Sequence, residues 1–284
     1  MKKYLFSAIV LFSSSVLFAQ NFPAPSPLAK VNQVVGLTEI EVEYSRPGVN
    51  DRTIFGDVVP FGQIWRTGAN SATKITFEDD VVFGGVDVKA GTYAVFTVPE
   101  EGVIKVMLNS NPNQGGTGRY DNSLDVAEVK VKFEKNEQKV ERMRFTFENM
   151  TNKSADLVFA WDHMRFAVPI EVNSDAKAEA NLKAKMAEFD GQYSFYNEAA
   201  AYYLAEGKDP KQALDWAQKS VDMSPKFWNM HTLAKAYKAV GDNAKAATTA
   251  EQSLKLAREA EYMPYVKMNE EFIASLKSGG SKKK

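Results

Sequence analysis

The feature that most constrains this chain is a change of hydrophobic period near Asn173. Upstream of it, apolar residues recur at every second position: Ile40, Val42 and Tyr44 alternate with Glu39, Glu41 and Glu43. Successive side chains of a strand point to opposite faces, so this alternation predicts strands with one buried and one wet face. The pattern returns at Ile75/Phe77, Val81/Phe83, Val86/Val88, Tyr93/Val95, Val106/Leu108, Val129/Val131/Phe133, Met143/Phe145/Phe147, Leu157/Phe159/Trp161 and Phe166/Val168/Ile170. Gly84-Gly85 predicts a tight hairpin, because both central residues of a primed turn need positive φ. Pro99–Gly102 and Asn149–Lys153 are expected to be further turns. Many short strands with no helical pattern between them predict an antiparallel β-sandwich over 28–173, jelly-roll or immunoglobulin-like, of about ten strands.

From Asp175 the β-branched residues thin out, alanine dominates and the period becomes helical. Asn173-Ser174-Asp175 supplies capping residues for a helix running through Phe189. Ala213 and Ser220 have counterparts 33 residues later in Ala246 and Ser253, with Gly207 and Gly241 in the turns and Tyr202, Leu204, Leu233 and Tyr237 as bulky packing residues. This spacing resembles the tetratricopeptide repeat, although Ala250 and Arg258 replace the aromatic and the proline of that pattern. The region 174–277 is therefore expected to be a small array of helical hairpins with Asp175–Phe189 and Pro264–Leu276 as end caps.

Met1–Ala19 has a Lys2-Lys3 start, an apolar run and a small residue at its end, the pattern of a signal peptide. Its apolar run is shorter than the roughly 20 residues a membrane span needs. Residues 20–27 read as a linker and 278–284 as a flexible basic tail. With no cysteine, the chain has no lipidation site, disulfide or thiolate metal site, which suits an exported, periplasmic or outer-membrane-associated protein that is not a lipoprotein. A formal net charge of −1 argues against nucleic acid as a partner.

Ser45–Asn70, Ala72-Thr73, AGTY at Ala90–Tyr93, GRYDNSLDV at Gly118–Val126 and the strand ending in Trp161 together resemble the domain of unknown function 2911 family, over roughly Pro25 to Val172. The resemblance implies an exported β-rich domain of Gram-negative bacteria, sometimes followed by helical repeats. It implies no chemistry.

Arg46, Arg52, Arg66, Trp65 and Asn70 are candidates for a ligand pocket, since guanidinium forks match carboxylate or phosphate and an indole stacks on a sugar ring. The alternative is that the arginines pair with Asp51, Asp57 or backbone carbonyls and the tryptophan plugs the end of the sandwich, fixing a long loop. Arg119, Tyr120, Asp121 and Asp125 follow the glycine-rich QGGTGR, which lacks the ending and the strand-to-helix context of a phosphate loop. These residues are expected at the same end of the domain as Trp65. In the helical region Tyr196, Tyr203 and Trp228 are candidates for partner contact, with packing between helices as the plainer role.

Catalytic chemistry has little to stand on. His163 and His231 are the only histidines and fall in different halves, no serine sits in a nucleophile-elbow motif, and no metal site or cofactor is expected. The expectation is a non-enzymatic envelope protein that binds another envelope protein through its helical repeats and a glycan or anionic ligand on its β-domain. The competing reading is an enzyme acting on an envelope carbohydrate or phosphorylated substrate, which requires Trp65, Arg66, Asp121 and His163 to converge.

Overall fold

A computed structural model describes residues 23–188 and 192–279. The signal peptide expected at 1–19 and the last residues of the basic tail, 280–284, lie outside the described residues. The chain divides after Ser174 into a β unit and a helical unit, one residue from the change of hydrophobic period.

In chain order the strands are β1 (Leu28–Val35), β2 (Thr38–Ser45), β3 (Thr73–Phe77), β4 (Val81–Phe83), β5 (Val86–Val88), β6 (Gly91–Pro99), β7 (Val103–Asn109), β8 (Asp125–Lys132), β9 (Glu134–Glu148) and β10 (Ser154–Val172). They form a six-stranded sheet ordered β1-β2-β3-β6-β7-β8 and a four-stranded sheet ordered β5-β4-β10-β9. Every strand pair is antiparallel. Ile40, Val42, Ile75, Phe77, Val106 and Leu108 of the larger sheet share one core with Phe83, Phe145, Phe159, Phe166 and Val168 of the smaller. Gly84 and Gly85, at φ +56° and +89°, make the tight turn between β4 and β5.

Two details differ from the alternation pattern. Leu157/Phe159/Trp161 and Phe166/Val168/Ile170, which read as separate strands, belong to the single 19-residue β10. The inward set changes from odd to even positions because the register with β9 shifts between Ala160 and Met164, around Asp162 at φ +54°. A bulge inserts an extra residue and so inverts which side chains face the core. At the sheet edge β1 gives only a partly buried inward set, Ala29 and Val31 packing against the core and Val35 within it.

The helical unit contains α1 (Ser174–Glu188), α2 (Tyr193–Ala205), α3 (Pro210–Met223), α4 (Phe227–Ala239), α5 (Asn243–Glu259) and α6 (Met263–Gly279). The hairpins α2–α3 and α4–α5 repeat in chemical detail. Asp209 caps α3 by accepting from the Lys211 and Gln212 N–H groups, and Asp242 caps α5 by accepting from Lys245 N–H. These caps satisfy backbone donors that a helix start otherwise leaves unpaired. Ala213, Ala217, Ala246 and Ala250 are fully buried, which lets the helices approach closely. The Ser220 hydroxyl donates to the Tyr193 carbonyl at 2.6 Å, and the Ser253 hydroxyl donates to the Phe227 carbonyl at 2.6 Å. At the start of the unit, Glu179 of α1 accepts from Tyr203 and from Lys208.

Candidate functional site

The irregular segment Ser45–Asn70 is held mainly by backbone. Arg46 N–H donates to the Pro27 carbonyl, Val49 N–H to the Glu141 carbonyl, and Trp65 exchanges two 2.8 Å bonds with Thr97 of β6. The Arg46 Nε donates to the Met143 carbonyl at 2.9 Å, and Arg52 donates to the carbonyls of Val49 and Gly48. Asn70 donates to the Ser45 hydroxyl at 3.1 Å. The Trp65 indole turns into the core, where it stacks on Trp161 and meets the edges of Phe55 and Phe159. Its Nε1 donates to the Gly68 carbonyl at 3.2 Å. The side chains of Arg46, Arg52 and Trp65 are thus committed to holding the loop.

Trp65 faces inward, whereas its neighbour Ile64 faces the outer side of the six-stranded sheet. There Ile64, Val98 and Tyr120 pack on Ala72, Ala94, Phe96 and Met107 in a second apolar cluster. Pairing in β6, β7 and β8 sets Ala94, Asn109 and Asp125 in one row across this face, and Phe96, Met107 and Glu128 in the next. Tyr120 lies over Phe96 with ring centroids 4.9 Å apart. Between Gly62–Ile64 on one side and Tyr120–Asp125 on the other opens a cleft of about 440 Å³, floored by Val98 and Met107 and flanked by Glu100, Lys105 and Glu128. The structure therefore brings the Trp65 segment and the Tyr120 segment together on the sheet's outer face, through Ile64 rather than through the indole.

A chain of side-chain hydrogen bonds backs the cleft. Tyr120 OH donates to Asp125 Oδ2, Asn109 Nδ2 donates to Asp125 Oδ1 at 2.8 Å, and Gln114 Nε2 donates to Asn109 Oδ1 at 2.8 Å. Burial and the hydrogen bond to Asp125 push the Tyr120 phenol well above its usual range, so it stays protonated and remains a donor. Gln114 Oε1, at the end of this network, is a buried acceptor without a partner, and Arg66 Nε, on the Trp65 segment, is a buried donor without one. Their main-chain carbonyls accept from successive N–H groups, Gln114 from Ala72 and Arg66 from Thr73.

The other candidates lie apart from this network or serve a turn. Arg119 is exposed in the loop. Asp121 accepts from the N–H and hydroxyl of Ser123, capping a short 3₁₀ turn, and these bonds lower its pKa. His163 is exposed beside the β10 bulge with Nδ1 3.2 Å from the Asn136 carbonyl. It belongs to the smaller sheet, whereas Asp121 and Arg66 sit with the larger one and Trp65 is in the core between them. These four residues do not converge. Tyr196 is buried under Lys219, whose Nζ lies 4.1 Å from the ring centroid. Tyr203 packs edge-on against Trp216, and Trp228 stacks on Tyr193 at 5.7 Å. Asn109 and Glu128 escaped the sequence reading. The available signal was the two-residue step from Met107 to Asn109, which places both on the strand face opposite Val106 and Leu108.

Among the described residues no group of three or more His, Asp or Glu side chains is placed to hold a metal ion, and no helix is long and apolar enough to cross a membrane. Fold and site define an antiparallel β domain with a loop-walled cleft on one outer face, joined to a unit of six helices. The chain belongs to the family described as Protein of unknown function (DUF2911), whose model matches residues 26–170. The helical unit lies beyond that match. No curated protein and no solved structure matches the chain significantly.

Proposed function

We propose that this is an exported recognition protein of the bacterial cell envelope, in which tetratricopeptide-like hairpins hold a protein partner and a β-sandwich of jelly-roll or immunoglobulin-like kind carries a ligand cleft. The signal-peptide pattern of Met1–Ala19 and the absence of cysteine support export to the envelope. The observation that carries the array reading is the repeated hydrogen bond from Ser220 to Tyr193 and from Ser253 to Phe227. An equivalent helix-to-helix bond, its donors 33 residues apart and its acceptors 34, is what stacked equivalent units produce, an architecture that presents extended surfaces for binding. The outer-face cleft supports the ligand half of the reading, because it gathers an aromatic ring, an apolar floor and fixed polar groups.

In-envelope crosslinking of the full chain, followed by mass spectrometry, tests the array reading. Crosslinks to a partner concentrated on Lys235, Lys255 and Lys267 support it. A protein that crosslinks to nothing, or only through lysines of the β domain, refutes it.

A further inference from the structure

We propose that the outer-face cleft binds a neutral polyhydroxylated ligand of the sugar class, with a ring against Tyr120 and its hydroxyls on Asp125 and Glu128. This names the ligand class for the cleft and rests on the ligand-binding reading of the β domain.

Three observations select that class. First, the shape and lining suit it: Tyr120 forms one wall, held by its hydroxyl to Asp125, and Ile64, Val98 and Met107 supply an apolar surface for the C–H face of a sugar ring. Second, the charge excludes anions. Glu100, Asp125 and Glu128 line the cleft against one cation, Lys105, which is itself 3.8 Å from Glu100. A carboxylate or phosphate entering there meets uncompensated negative charge. Third, Asp125 is held by Tyr120 and Asn109, so the cleft presents a fixed acceptor to which a hydroxyl can donate.

The test is isothermal titration of the full mature chain with neutral oligosaccharides (cellohexaose, maltohexaose and chitohexaose), with anions (an oligogalacturonate and inorganic phosphate) and with an amine (spermidine). Expected is binding of a neutral oligosaccharide that Tyr120→Ala weakens at least about tenfold, or about 1.4 kcal/mol, and that Tyr120→Phe largely retains. Glu128→Lys, at an exposed strand position that folding tolerates, weakens it as well and serves if the alanine variant does not fold. Binding of an anion or amine in place of the sugar, sensitive to the same variants, overturns the ligand class and leaves the ligand-binding reading intact. Sugar binding indifferent to these variants places the site elsewhere and overturns the proposal. No binding across the panel ends both.

Discussion

The indoles of Trp65 and Trp161 stack with centroids 5.7 Å apart and planes 20° from parallel, and only Trp65 has an acceptor for its ring N–H. Trp65 reaches the Gly68 carbonyl, whereas the Nε1 of Trp161 is buried without a partner. The pair joins the long loop to β10 and closes the core around Phe55.

This asymmetry has a measurable consequence. Trp65→Phe loses packing and a hydrogen bond worth about 1 kcal/mol. Trp161→Phe loses similar packing but also relieves an unpaired buried donor, so it is the milder of the two. Trp65→Ala costs about 3–5 kcal/mol through the cavity it leaves. Denaturant midpoints of the three variants check the order, and a Trp161→Phe variant less stable than Trp65→Phe contradicts it.

Gly84→Ala is expected to destabilise the β unit far more than Gly85→Ala. Both positions have positive φ, with a strain of about 1–2 kcal/mol for a residue bearing a Cβ. At Gly84 the added carbon also stands 2.7 Å from Val129 Cγ1 of β8, while at Gly85 it meets nothing within 4 Å. Thermal unfolding of the two variants separates steric contact from backbone strain.

Ser253→Ala is expected to cost the helical unit about 1 kcal/mol, the worth of one buried hydrogen bond. Ser220→Ala costs more, because the Ser220 hydroxyl also accepts from Asn229 Nδ2 at 3.0 Å. Helical circular dichroism during urea unfolding reads both. Equal and negligible effects would remove the repeated bond as a stabilising feature of the hairpins.

The helical unit is expected to weaken in mild acid through His231. Asn269 Nδ2 donates to the Tyr265 carbonyl, so its Oδ1 is the atom facing His231 Nδ1, 2.8 Å away, and Nδ1 carries the proton of the neutral ring. Burial between the rings of Tyr265 and Phe272 lowers the pKa of His231, and the charge of Lys235 adds to this against the opposing bond to Asn269. The unfolded chain then binds the proton more readily than the folded one, so stability rises with pH. It is fully present above the unfolded value of about 6.5 and is lost as pH falls from there towards the lowered folded value. Melting temperatures between pH 7.5 and pH 5, with His231→Asn as the control that flattens the dependence, decide the matter.

Much of the architecture was legible in the residues because it follows from local rules. Alternating Ile40, Val42 and Tyr44 define a strand face, Gly84-Gly85 defines a turn, and the change of period at Asn173 falls one residue from the division of the chain. The candidate site was only half legible. Tyr120 and its partner Asp125 were visible as residue types, but Asn109 and Gln114, which continue the chain of hydrogen bonds behind them, come from β7 and the loop after it, and no spacing rule announces that link.

The order of side chains along the chain was enough to set most of the strands, the tight turn at Gly84-Gly85 and the helical pattern after Asn173, since each depends on φ, ψ and periodic burial within a few neighbouring residues. Three-dimensional packing decided the rest: that Trp65 spends its indole on the core while Ile64 reaches the opposite face, that a bulge at Asp162 reverses the inward set of β10, and that Gln114 and Arg66 are left with unmet hydrogen-bonding groups. Which face a side chain serves depends on the strand or loop that closes over it, and those neighbours are distant in sequence.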